Sequence, residues 1–148
     1  MDAINLPTAV EPTTWFVVFH PTSSSRLLSL LAFGHYKHVS AFGYYQGFKA
    51  WLVCDAEISG LRLPLVAHDA MRAIIGKYTA GCTIVKFARR AEPIGIAPLS
   101  RVGFFCVTAV KHLLAVRCNS LTPDSLYRYI LANGGQIIHD TGNADYPH

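Results

Sequence analysis

Of the side chains able to do covalent chemistry, Cys106 is the best placed. A thiol attacks a carbonyl as thiolate, and the positive end of a helix macrodipole favours that form in the first helical turn. Residues 106 to 117 (CVTAVKHLLAVR) contain neither Gly nor Pro and are apolar on most sides, which predicts a buried helix with Cys106 at its head. Gly103-Phe104-Phe105 would bring the chain up to that helix and leave the Cys106 N–H directed at a substrate oxygen. Cys54 and Cys82 fall in predicted strands, and Cys118 lies at the far, negative end of the helix. The four cysteines stand 28, 24 and 12 positions apart with no CxxC pair. That spacing points to reduced thiols rather than a zinc site or a disulfide framework.

A cysteine nucleophile needs an imidazole within hydrogen-bond reach, and the imidazole needs a third group to orient it. KHVSAFGYYQGFKAWLVCDAE holds two apolar runs around Gln46-Gly47 and predicts a β-hairpin. A two-residue turn there pairs Tyr45 with Phe48 and sets His38 directly opposite Asp55, on one sheet face. A one-residue slip would put Cys54 or Ala56 opposite instead, and Glu57, two residues along the same face, is the reserve for the orienting role. His35, three residues from His38, falls on the other face. His20, His68, His112, His139 and His148 are read as packed or solvated side chains.

The elements that must position these groups follow from local pattern. TTWFVVFH (13–20) is β-branched and aromatic and predicts a strand ending against Pro21. Thr22 to Ser25 offer capping hydroxyls to a short helix, RLLSLLAF, stopped by Gly34. Leu61–Val66 predict a further strand, confined to an edge or bulge by Pro64, and His68–Ile75 a short helix ended by Gly76. CTIVKFA (82–88) returns to strand character, and residues 89–100 form a loop. Thr122-Pro123-Asp124 announces a capped helix running to Gly134-Gly135, and QIIH a last short strand. The expected whole is an α+β domain, an antiparallel sheet packed against a buried central helix, spanning 13–140 between a lead-in (1–12) and a polar tail (141–148).

Composition limits the alternatives. The chain has 148 residues, 51% hydrophobic and 15% charged, which suits one well-filled core and not a disordered segment. The net charge of +4 comes from scattered basic residues, with only Arg89-Arg90 adjacent, so a nucleic-acid role is not favoured. No apolar stretch approaches the roughly 20 residues that span a bilayer, and the N-terminus lacks a signal-peptide pattern, so a cytoplasmic location is expected.

The order of these features resembles the circularly permuted papain-like superfamily, which includes NlpC-like hydrolases and lecithin retinol acyltransferases. KHVSAFGYY is similar to that branch's histidine strand and FFCVTAVKHLL to its cysteine helix, the two cited residues lying 68 positions apart in the permuted order. The resemblance covers about residues 36–116 and implies a thiol peptidase, amidase or acyltransferase, with Cys106 as nucleophile, His38 as base and Asp55 as third member. It implies no cofactor, and a substrate that is a peptide, an isopeptide or a lipid ester. The chain also resembles small proteins of bacterial viruses and prophages, which would allow a virion-associated location. The competing expectation is a non-catalytic binding module for a protein or nucleic-acid partner, with Tyr36, Tyr44, Tyr45, Phe48 and Trp51 as its contact surface.

Overall fold

A computed structural model describes residues 12–23, 26–31, 33–57, 59–89 and 105–140. The expected lead-in, the 89–100 loop apart from Arg89, the Gly103-Phe104 approach and the polar tail lie outside the described residues.

Alternating apolar side chains build β1 (Thr14–His20), which has Trp15, Val17 and Phe19 buried on one face and Val18 on the other. Burial on both faces makes it a central strand. It pairs antiparallel with β2 (His38–Tyr45) and β6 (Thr83–Ala88). Outside β2 lies β3 (Ala50–Glu57), then β4 (Gly60–Arg62) and β5 (Leu65–Ala67); outside β6 lies β7 (Gln136–Asp140). Over the described residues the sheet is thus seven-stranded and antiparallel, in an α+β fold.

The segment predicted as one strand across Pro64 is two. β4 and β5 keep a single register along β3, and the Val53 N–H donates to the Pro64 carbonyl at 3.0 Å between them. Proline has no N–H to return, so the ladder breaks there on the sheet's edge.

Helix α1 is short (Arg26–Leu31), and α2 (His68–Thr79) sets Met71 against Val18, Phe42, Val53 and Ile84 on one sheet face. Gly76 does not end α2 as expected. A lone glycine in a helix interior is destabilising by only about 1 kcal/mol relative to Ala, and the chain turns instead at Gly81, where φ is +78. On the opposite face α3 (Phe105–Leu113) and α4 (Pro123–Ala132) pack Val107, Val110, Leu126 and Ile130 against Trp15, Val17, Val39, Ala41 and Val85.

Helix α3 is four residues shorter at its C-terminus than its composition suggested. The Val116 N–H reaches back to the Lys111 carbonyl at 3.1 Å and the Ala115 N–H to that of His112 at 3.2 Å, with Ala115 left-handed at φ 53. This is a Schellman closure with alanine where glycine usually stands. Helix α4 is capped as predicted: the Ser125 N–H donates to Thr122 Oγ1, the Ser125 hydroxyl receives the Thr122 N–H, and Pro123 opens the helix. Among the described residues no helix is long and apolar enough to cross a membrane.

Candidate functional site

The hairpin carries the site, in a register two residues from the one expected. Tyr45 pairs with Ala50, not Phe48, across a four-residue turn, Gln46–Lys49, whose left-handed residue is Lys49 (φ 48) rather than Gly47. Ser40, not His38, is therefore directly opposite Asp55. Because side chains alternate with a period of two, a shift of two preserves the face. His38 reaches Asp55 diagonally, its Nε2 lying 2.7 Å from Asp55 Oδ1. Glu57, the reserve candidate, lies instead within 3.5 Å of the Ser59 hydroxyl, which donates to Oε2.

Cys106 is the second described residue of α3, the helix that packs across β2 and β3, and it lies near enough to the His38 ring to help raise its pKa. The structure thus brings together all three residues singled out in the sequence. Burial works against charge on His38, but the bond to Asp55, then the bond to Cys106, with the fields of both, outweigh it and raise its pKa to about 9. His38 is an imidazolium at neutral pH, and Nε2–H donates to the carboxylate. The bond from His38 holds the Asp55 carboxyl below the usual carboxylate range despite its partial burial. Solvent reaches this ion pair, whose side chains are 12% and 23% exposed, but Cys106 itself is only 3% exposed.

A second histidine, His20, stands beside the first. It pairs with His38 across β1 and β2, and the ring centroids are 5.3 Å apart. Its Nε2 lies 2.8 Å from Ser40 Oγ and its Nδ1 3.2 Å from Cys82 Sγ. Burial, then the charge of His38, lowers its pKa to about 4 against a smaller opposing effect of Asp55. Burial also raises the pKa of Cys82, which keeps its proton. A neutral ring has one donor and one acceptor nitrogen, so it donates to one of these two partners and accepts from the other. His20 is thus a packed side chain at the end of its strand, as expected, and its neighbours there are His38, Ser40 and Cys82. No local pattern marks it, because its place depends on the β1–β2 register across the α1 connection.

The chain entering β2 is pinned from a distance. Asp124, in the first turn of α4, accepts the N–H groups of His35 at 3.1 Å and Tyr36 at 2.9 Å, through one oxygen each. Gly34 makes this possible, since it adopts φ +114 and a Cβ there would overlap the Asp124 carboxylate. The Tyr36 hydroxyl donates to Thr83 Oγ1 at 2.8 Å, and the Lys37 N–H to the His20 carbonyl at 2.8 Å.

The remaining cysteines differ in kind. Cys54 is buried, and desolvation reinforced by the Asp55 charge pushes its thiol up to about 12. Cys118 lies in the loop after α3, partly exposed. Among the described residues no group of three or more His, Cys, Asp and Glu side chains is arranged to hold a metal ion. Compared with known proteins, the chain matches no family model, no curated protein and no solved structure.

Proposed function

We propose that this chain is a cysteine-dependent acyl-transfer enzyme, a peptidase, amidase or acyltransferase on a permuted papain-like scaffold. The observation that carries the reading is the linked trio of Cys106, His38 and Asp55, with the imidazole held protonated at neutral pH. Cys106, as thiolate, attacks the carbonyl carbon of an amide, ester or thioester. Its backbone N–H, near the start of α3, steadies the developing oxyanion. Asp55 engages Nε2 of His38, which leaves Nδ1 to give its proton to the departing amine, alcohol or thiol. The resulting thioester is resolved when His38 takes a proton from water or another acceptor, which attacks the carbonyl and restores the thiolate. Peptidoglycan cross-bridge peptides, isopeptides and lipid esters all present such a bond.

One observation favours the second reading, a binding module without catalysis: the Cys106 side chain is nearly sealed from solvent. An electrophilic thiol probe separates the two. For the enzyme, labelling falls on Cys106, disappears in Cys106→Ala and weakens in His38→Ala, while Cys54 and Cys82, whose pKa values are raised by burial, stay unlabelled in the native protein. Equal labelling of all four cysteines, or of none under native conditions, would leave the binding module standing.

A further inference from the structure

The hairpin end of the sheet carries a groove of ≈ 480 Å³ with no part in the chemistry above. Thr13, Thr14, Phe16, Tyr44, Gln46, Trp51, His68 and Lys86 line it, drawn from four adjacent strands, the hairpin turn and the head of α2. Its volume is that of a small-molecule site.

The aromatic wall is fixed in advance. The Trp51 ring packs against Tyr44, Phe42 and Phe16 at centroid distances of 5.0, 5.6 and 6.0 Å. The Trp51 indole N–H donates to His68 Nδ1 at 3.3 Å, and the two ring planes are within 19° of parallel. A ligand ring meeting this wall would lose little affinity to ordering it.

The polar groups of the groove are uncommitted. Among the described residues, the hydroxyls of Thr13, Thr14 and Tyr44, the amide of Gln46 and the ammonium of Lys86 have no side-chain hydrogen bond or ion pair within the chain. Among the described residues no carboxylate lines the groove, and Lys86 supplies a positive charge. Lys86 is opposite Phe16 on β6, and Trp51 stands three strands away on β3. Three inter-strand steps and a two-residue offset along the strands put the backbones roughly 16 Å apart. Both side chains stand on the same sheet face with Phe16 and Phe42 between them, so it is the Trp51–Tyr44 end of the wall that is far from the ammonium. A ring bearing its carboxylate directly is too short for that distance, whereas a flat base joined to a phosphate through a sugar spans it.

We propose that this groove binds a nucleotide, with the base against Trp51 and Tyr44, the phosphate on Lys86, and the sugar and base edges on Thr13, Thr14 and Gln46. The same chemistry is offered by a free mononucleotide and by one unit of a single strand. The test is calorimetric titration of the whole protein with adenosine monophosphate, adenosine and a short oligothymidylate. Adenosine monophosphate binds saturably at one site, more weakly as salt rises, and adenosine binds roughly tenfold less tightly. Lys86→Gln, a change at an exposed position, reduces the monophosphate to the level of adenosine and leaves adenosine unaffected. Trp51→Ala weakens both by roughly tenfold or more. Tighter binding of the oligothymidylate assigns the site to a single strand, and tighter binding of the monophosphate assigns it to the free nucleotide. Absence of saturable binding by either, or Lys86→Gln binding the monophosphate as wild type does, overturns the proposal. Cys106→Ala binds unchanged, so the groove and the acyl-transfer reading fail or stand separately.

Discussion

Replacing Asp55 by Asn removes the carboxylate charge from His38 and keeps the shape of its partner. In the native protein His38 lies at about 9 because Asp55 and Cys106 together overcome the effect of burial. An opposite charge in direct contact shifts a titrating group by about 1–3 pH units, so losing one of two such partners lowers His38 by about 1–2 units. At pH 7.5 the imidazolium fraction then falls from roughly 97% to between about 76% and 24%, a change of about 1.4–2.7 kcal/mol in favour of the neutral ring. The assay is an NMR titration of the histidine Cε1–H resonances, with His38 assigned by its loss in His38→Gln. His38 should titrate last in the wild type and move toward neutrality in Asp55→Asn. A wild-type midpoint near the ordinary histidine value, or an Asp55→Asn curve that overlays it, would refute the coupling.

Two further outcomes follow from the same geometry and from the turn before it. His38 is raised to about 9, so its contribution is complete below pH 6.5 and is lost as pH rises through 9; His20 is lowered to about 4, so folding weakens as pH falls from 6.5 toward 4. Together they place the melting-temperature maximum near pH 6.5, and a profile still climbing at pH 9 would contradict this. Gly34→Ala forces a side chain into left-handed backbone and displaces Asp124 from two N–H groups, which should destabilise by about 2–4 kcal/mol in urea denaturation. A loss within about 0.5 kcal/mol would show that the carboxylate is not needed where it stands.

What could be read from sequence was whatever a short stretch of chain decides for itself. Thr122-Pro123 caps α4 through bonds confined to one turn, and the alternation in TTWFVVFH makes a strand whatever lies beside it. The His38–Asp55 contact was legible for a subtler reason. The turn was misjudged by two residues, but the period of a strand is also two, so the face survived an error in the register. Nothing comparable marks His20, Ser40 and Cys82, whose meeting needs β1, β2 and β6 aligned across connections that impose no register. The ends of α2 and α3 were missed because Gly76 keeps a helical backbone and Ala115 accepts a left-handed one, each the reverse of its residue type's habit.

The bond between Asp124 and the residues before His38 has a temporal consequence. Its partners are 88 and 89 positions apart, so α4 must be synthesised before the approach to the histidine strand can be clamped. Until α4 emerges, the segment before His38 relies on the pairing of β2 with β1 and on the Lys37 bond to the His20 carbonyl. The approach to His38 therefore gains this clamp only after β1, β3 and β6 of its sheet have been made.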